Sequence, residues 1–341
     1  MAHGFVLSYK KTALCAFGAL CLCASVVIMA LTGLREPALK LILFGGKGGV
    51  GKTTCAASAA LYCAQGAKTL LISTDPAHSL ADSLGQAIGN TIRPVKGVEN
   101  LSALEINAEK AMTGFKTRYE KEIKLIFDNS SYLDADDINA LFTLPIPGLD
   151  EVMSFKTIVD LIEAKQFDKY IVDTAPTGHA LRLLSMPGLL DEWIKVLATM
   201  RWKYHRIANA FGGQNRANAA DDFVLEMKKA VKHIEQLLKD GRRCEFVAVT
   251  IPESMVVAET ERLVRSLKTY GVAVRQLVIN QVVEPGLGLC GFCRARRKVQ
   301  QKWIDVMRER LPGLRATLMS ASAEEVQGLD ALAVFKTKLF D

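Results

Sequence analysis

Two lysines, Lys47 and Lys52, sit in one glycine-rich knot between an apolar run and a stretch of small helix-forming residues, in "LKLILFGGKGGVGKTTCAAS", residues 39–58. The part "GKGGVGKT", Gly46 to Thr53, satisfies the G-x-x-x-x-G-K-[ST] spacing in the strand-to-helix setting that a phosphate loop requires. Glycines at Gly46, Gly48, Gly49 and Gly51, with Val50 among them, let backbone N–H groups curl around phosphate oxygens, and the following helix presents the positive end of its dipole. Lys52 is then expected on the β- and γ-phosphates of ATP, Thr53 on Mg²⁺, and Thr54 at the rim of the same cradle. Two carboxylates follow expected strands. Asp75, in "LLISTDPAHSLADSLG", is suited to position or deprotonate an attacking water, or to cap the next helix. Asp173, in "FDKYIVDTAPTGHALRLL", is suited to act on Mg²⁺ through water. Residues 174–179 then form a loop near the γ-phosphate, and His179 reads as a packing residue of that loop.

The elements that must position these groups are short apolar runs at Leu39–Phe44, Thr69–Thr74, Tyr170–Asp173, Phe246–Ile251 and Val274–Asn280, each followed by helical pattern. Continuous apolar runs indicate strands buried on both faces, and their alternation with helices indicates an α/β fold with a doubly wound, mostly parallel sheet. Ligands of such sheets bind beyond the carboxyl ends of the strands, where Gly46, Asp75 and Asp173 fall. Residues 108–147 and 186–240 carry helical periodicity without strands and are expected to form a helical subdomain inserted in the nucleotide domain, 39–341.

Composition sets outer bounds. The chain has 341 residues, half of them hydrophobic, and a net charge of +7, enough for a large core and only mildly basic. No nucleic-acid partner is expected. Eight cysteines without framework spacing suit a reducing compartment, and only Cys290 and Cys293 form a close pair. A C-x-x-C pair alone is half a zinc site or a redox pair. Residues 12–34 are uncharged and long enough to cross a bilayer. Within the segment 1–38 this run is read as a membrane anchor on a cytoplasmic ATPase, as a signal, or as untranslated if synthesis starts at Met29.

The early lysine narrows the class. "KGGVGKTT" resembles the deviant phosphate loop of the signature-lysine ATPases, in which that lysine reaches across a homodimer to the partner's phosphates. Together with "LISTDPAHSL", "IPGLDEVMSF", "DTAPTGHALRLL", "ETERLVRSL", "VINQVV" and the Cys290/Cys293 pair, the chain from about Leu39 onward is similar to the arsenical-pump and tail-anchored-protein-targeting ATPase family. The resemblance implies a trans-acting Lys47 and a water-activating Asp75. It also implies Asp173 in the second switch, Asn280 at the adenine edge and Glu253 near the nucleotide and the dimer interface. "MSASAEEVQGL", Met319 to Leu329, resembles the loop closing over the base, with Ser320 where the family usually has proline.

Within that family, the pump is a fused tandem with metalloid-binding cysteines in its helical region. This chain has one phosphate loop and no cysteine in 108–147 or 186–240. The targeting factor is a homodimer joined by Zn²⁺ through C-x-x-C pairs, which Cys290-Gly-Phe-Cys293 matches. The reading that follows is a homodimeric Mg²⁺-dependent ATPase handling a hydrophobic membrane-protein segment or a membrane-embedded partner. An arsenite or anion efflux ATPase and a partitioning-type ATPase, with "LDALAVFKTKLFD" as a membrane helix, are the alternatives; that tail is expected to pack on the sheet instead.

Overall fold

The computed structural model describes residues 31, 33–75, 79–107, 149–174, 232–284 and 290–340, with isolated positions at 110, 113, 117 and 229. His179 and most of the apolar run 12–34 and of the segments 108–147 and 186–240 lie outside the described residues.

Among the described residues eight strands form one sheet. They are β1 (Leu41–Gly45), β2 (Thr69–Ser73), β3 (Arg93–Pro94), β4 (Leu101–Glu105), β5 (Lys169–Asp173), β6 (Cys244–Thr250), β7 (Val274–Val282) and β8 (Arg315–Ser320). Their spatial order is β3-β4-β2-β5-β1-β6-β7-β8, and every pairing is parallel except the two-residue edge contact of β3 with β4. The α/β class and mostly parallel sheet match the expectation from the apolar runs, and each expected run lies within two residues of an observed strand at either end.

The two-residue period explains why those runs are continuous. Leu41 and Leu43 enter the core on one face of β1, while Ile42 and Phe44 enter the core on the other. Helices cover both faces: α1 (Lys52–Ala64), α2 (Ser79–Leu84), α3 (Leu149–Glu163), α4 (Ser254–Thr269), α5 (Gly291–Arg310) and α6 (Gly328–Phe340). In α1 the buried face is built from Cys55, Ala56, Ala59, Ala60 and Cys63, small enough for the helix to lie close against the central strands.

The C-terminal helix departs from the expectation. α6 lies chiefly along α1, with the Phe340 ring stacked on Tyr62 at 4.0 Å and Leu332, Phe335 and Leu339 buried. Leu31 and Leu34 join the same core at 1% and 0% exposure, and the Leu31 N–H donates to the Leu339 carbonyl. The apolar face of α6 is therefore spent inside the fold. Among the described residues no helix is long and apolar enough to cross a membrane.

Candidate nucleotide site

The carboxyl ends of β2, β5, β1, β6 and β7 converge on one edge of the sheet, and the phosphate loop leaves β1 at its centre. Packing dictates the loop's glycines. A β-carbon at Gly46 would stand 2.0 Å from the Val249 carbonyl oxygen, so only glycine lets the loop pass the end of β6. Gly51 takes φ 91° as the N-cap of α1 and leaves that helix without a side-chain cap. The first N–H groups of α1 thus keep the unfilled donor capacity that an anion uses. Val50 is fully buried and anchors the loop, whereas a β-carbon at Gly48 would meet no atom within 4 Å among the described residues.

Lys52 is buried, and its ammonium rests 3.4 Å from the Lys47 carbonyl oxygen. Thr53 donates its hydroxyl to Asp173 Oδ2 at 2.7 Å. Asp173 is completely buried, yet its other oxygen, Oδ1, has no hydrogen-bond partner among the described residues. Burial pushes the Asp173 carboxyl up to about 7. The Thr53 hydrogen bond and the Lys52 charge pull it down, and the Asp75 charge pushes it up again. An orphaned buried carboxylate oxygen beside a threonine hydroxyl is a costly arrangement for a structural residue and a suitable one for holding a cation through water. The residues present therefore fit Mg²⁺.

The segments that follow β2 and β5 are tied to the sheet and to one another through threonines. Thr174 donates its N–H and its hydroxyl to the Phe44 carbonyl, at 3.0 and 2.9 Å. Thr74 directs the same two groups at the Asp173 carbonyl, at 3.0 and 3.4 Å. These bonds extend the sheet ladder one residue past β5 and β2 and set the spacing of Asp75, Asp173 and the phosphate loop. Asp75 lies half-buried beyond β2, with its N–H on the Ser73 hydroxyl at 3.2 Å.

The ammonium of Lys47 engages no hydrogen bond or ion pair among the described residues, and the residue is partly exposed on the loop. Asn280 is buried and donates Nδ2 to the Val50 carbonyl at 3.0 Å, so it braces the phosphate loop. Glu253 is exposed at the N-cap of α4 and pairs with Arg296 of α5 at 3.3 Å. Ser320 closes β8 and donates its hydroxyl to Glu284, in place of the expected proline's rigid turn.

A second surface gathers at the start of α5. Cys290 is the helix N-cap, and its sulfur accepts the Cys293 N–H at 3.3 Å. That N–H holds the Cys290 thiol below its usual range, while the hydrogen bond with Cys290 pushes Cys293 up. The other described cysteines behave differently. Cys55, Cys63 and Cys244 are buried, and burial pushes all three thiols up. Among the described residues no group of three or more histidine, cysteine or acidic side chains is placed to hold a metal within one chain.

A family model described as "Anion-transporting ATPase" matches residues 39–341. The chain belongs to that ATPase family. It is similar to "ATPase GET3B" of Arabidopsis thaliana, 38% identical over 315 residues that cover 86% of this chain and 77% of that protein. "ATPase ASNA1 homolog 2" of Paramecium tetraurelia is 36% identical over 313 residues, 89% of this chain and 94% of that protein. "ATPase get3" of Neurospora crassa is 33% identical over 318 residues, 90% of this chain and 92% of that protein.

Several contributors to the site carried no signal in the sequence. Thr74, Thr174 and Val249 act through the ends of strands, and Gln281 and Gln300 act through backbone carbonyls. Only their positions mark the first two, Thr74 as the last residue of an expected apolar run and Thr174 just past one.

Proposed function

We propose that this ATPase works as a homodimer, with each site completed by Lys47 of the second copy, and that closure on ATP governs the handling of a hydrophobic membrane-protein segment. The observation that carries the ATP chemistry is the buried Asp173–Thr53 pair beside Lys52, with Asp173 Oδ1 left open. Thr53 and Asp173, the latter through water, would hold Mg²⁺, which neutralises charge on the transferring phosphoryl group. Lys52 neutralises the phosphates from within the loop, and Asp75 orients the attacking water and takes its proton. Lys47, whose ammonium engages no partner among the described residues, supplies the further cation in trans. An electrostatic group delivered only in the closed dimer ties turnover to assembly.

Cys290 and Cys293, exposed and half-buried at a helix start, would meet their counterparts across the dimer axis. Two pairs supply the four thiolates of a closed tetrahedral zinc site. Glu253, through Arg296, links that end of α5 to the end of β6. Asn280 would face adenine from its place in β7, beside the phosphate loop. The ATPase would act in the cytoplasm, where ATP is available.

The pump reading has the family description in its favour and the single phosphate loop against it. The partitioning-type reading loses its membrane helix, because α6 buries Leu332, Phe335 and Leu339 against the fold. Affinity capture with an ATP-trapped Asp75→Asn dimer, followed by mass spectrometry, tests the client assignment. Enrichment of single-span membrane proteins is expected. No such enrichment, together with wild-type turnover stimulated by arsenite, would replace it with the pump.

A further inference from the structure

β7 ends in two amides that both reach the phosphate loop. Asn280 Nδ2 donates to the Val50 carbonyl at 3.0 Å, and Gln281 Nε2 donates to the Gly49 carbonyl at 3.3 Å. Successive residues of a regular strand point to opposite faces, so both amides cannot serve one loop without a break in the pleat. The break is present: the β7–β8 register shifts between Ile279 and Val282, and Gln281 takes φ 57°. Bulges of this kind re-aim side chains next to active sites, and a residue with a β-carbon adopts the left-handed conformation only when its surroundings hold it there.

Gln300 of α5 provides that hold. It is buried, its Nε2 donates to the Gln281 carbonyl at 2.9 Å, and its Oε1 accepts the Val283 N–H at 2.8 Å. One side-chain amide thus brackets the bulge from both sides. At the other end of the relay, packing pins the loop at Gly46 but not at its apex. A β-carbon at Gly48 or Gly49 would meet nothing within 4 Å among the described residues. The Gln281 hydrogen bond falls on that apex.

We propose that Gln281 is a positioning residue for the phosphate loop, held by Gln300, so that the helix bearing the Cys290/Cys293 pair is joined to the phosphate cradle at Gly49. A shift of α5 then moves Gln300, the bulge and the loop apex together. The inference rests on the ATPase reading above.

The substitution Gln281→Gly removes the donor while keeping, and easing, the left-handed backbone. Fluorescence titration with mant-ATP should show affinity weakened about fivefold, the worth of one neutral hydrogen bond. The melting temperature should hold or rise, and in turnover assays the loss should fall on KM more than on kcat. Gln300→Met should weaken mant-ATP binding in the same direction. The double variant should be no weaker than the more affected single variant, because both act through one contact. Wild-type-like binding by Gln281→Gly would overturn the positioning role, and additive losses in the double variant would overturn the link through Gln300. A wild-type protein that fails to bind mant-ATP would overturn the ATPase reading and this inference with it.

Discussion

The Thr53 hydroxyl donates to Asp173 Oδ2 at 2.7 Å across 120 residues of sequence, while Oδ1 of the same carboxylate is buried without a partner among the described residues. This half-satisfied acid gives the site a pH signature. With its pKa raised to about 7, folded Asp173 keeps a proton that the unfolded chain releases near the ordinary carboxylate value. Between about pH 4 and 7 the folded state therefore binds the extra proton, and Asp173 makes stability fall as pH rises. Asp173→Asn removes that loss. Thermal denaturation without nucleotide or Mg²⁺ should show the variant melting higher than wild type at pH 8, by several degrees, and the gap closing toward pH 4. The same variant should lose Mg²⁺-dependent hydrolysis.

The phosphate loop separates folding from binding at neighbouring glycines. Gly46→Ala drives a β-carbon to 2.0 Å from the Val249 carbonyl oxygen, so backbone must move. It should destabilise by about 1–3 kcal/mol in urea unfolding, in line with overpacking. Gly48→Ala meets open space and should unfold like wild type, yet it intrudes on the cradle and should weaken nucleotide binding at least tenfold by calorimetry.

The proposed zinc between two copies predicts a stoichiometry. Purified protein should hold one Zn²⁺ per two chains by elemental analysis. Cys290→Ser or Cys293→Ser should lose the metal and shift the protein toward monomer in sedimentation. A chelator should do the same to the wild type. Metal-free dimers of unchanged stability would remove zinc from the account.

At the opposite edge of the sheet, about 13 Å down β5 from Asp173, Lys169 is buried and its ammonium donates to the Glu36 and Leu39 carbonyls. Burial pushes its pKa down, and the two carbonyls hold the chain entering β1. Lys169→Met should cost about 2–3 kcal/mol in urea unfolding by leaving buried acceptors unmet. Turnover per folded molecule should be unchanged, since no residue of the nucleotide site touches it.

Physical causes separate what was legible in the residues from what was not. β1, β2, β5, β6 and β7 could be read because burial on both faces writes a continuous apolar run, as in "LILFG" and "YIVD". β4 and β8 escaped because "LSALE" and "RATLMS" carry polar residues that resemble loop, and β3 is two residues held by its neighbour. The phosphate loop is visible because its chemistry is local in sequence. Gln281 and Gln300 are not, since a bulge and a buried amide leave no period. Lys169 looks like a solvated lysine until the turn at residues 36–39 is folded over it.

Completion of the site by Lys47 in trans is tested most directly by mixing two inactive homodimers. Lys47→Ala retains Asp75, and Asp75→Asn retains Lys47. In the mixed dimer one site combines its own Asp75 with the partner's lysine. Each variant alone should bind ATP and fail to hydrolyse it. After subunit exchange the mixture should regain about a quarter of wild-type turnover, one working site in each mixed dimer. No recovery in a mixture shown to contain mixed dimers, or wild-type turnover by Lys47→Ala alone, would contradict a trans-acting Lys47.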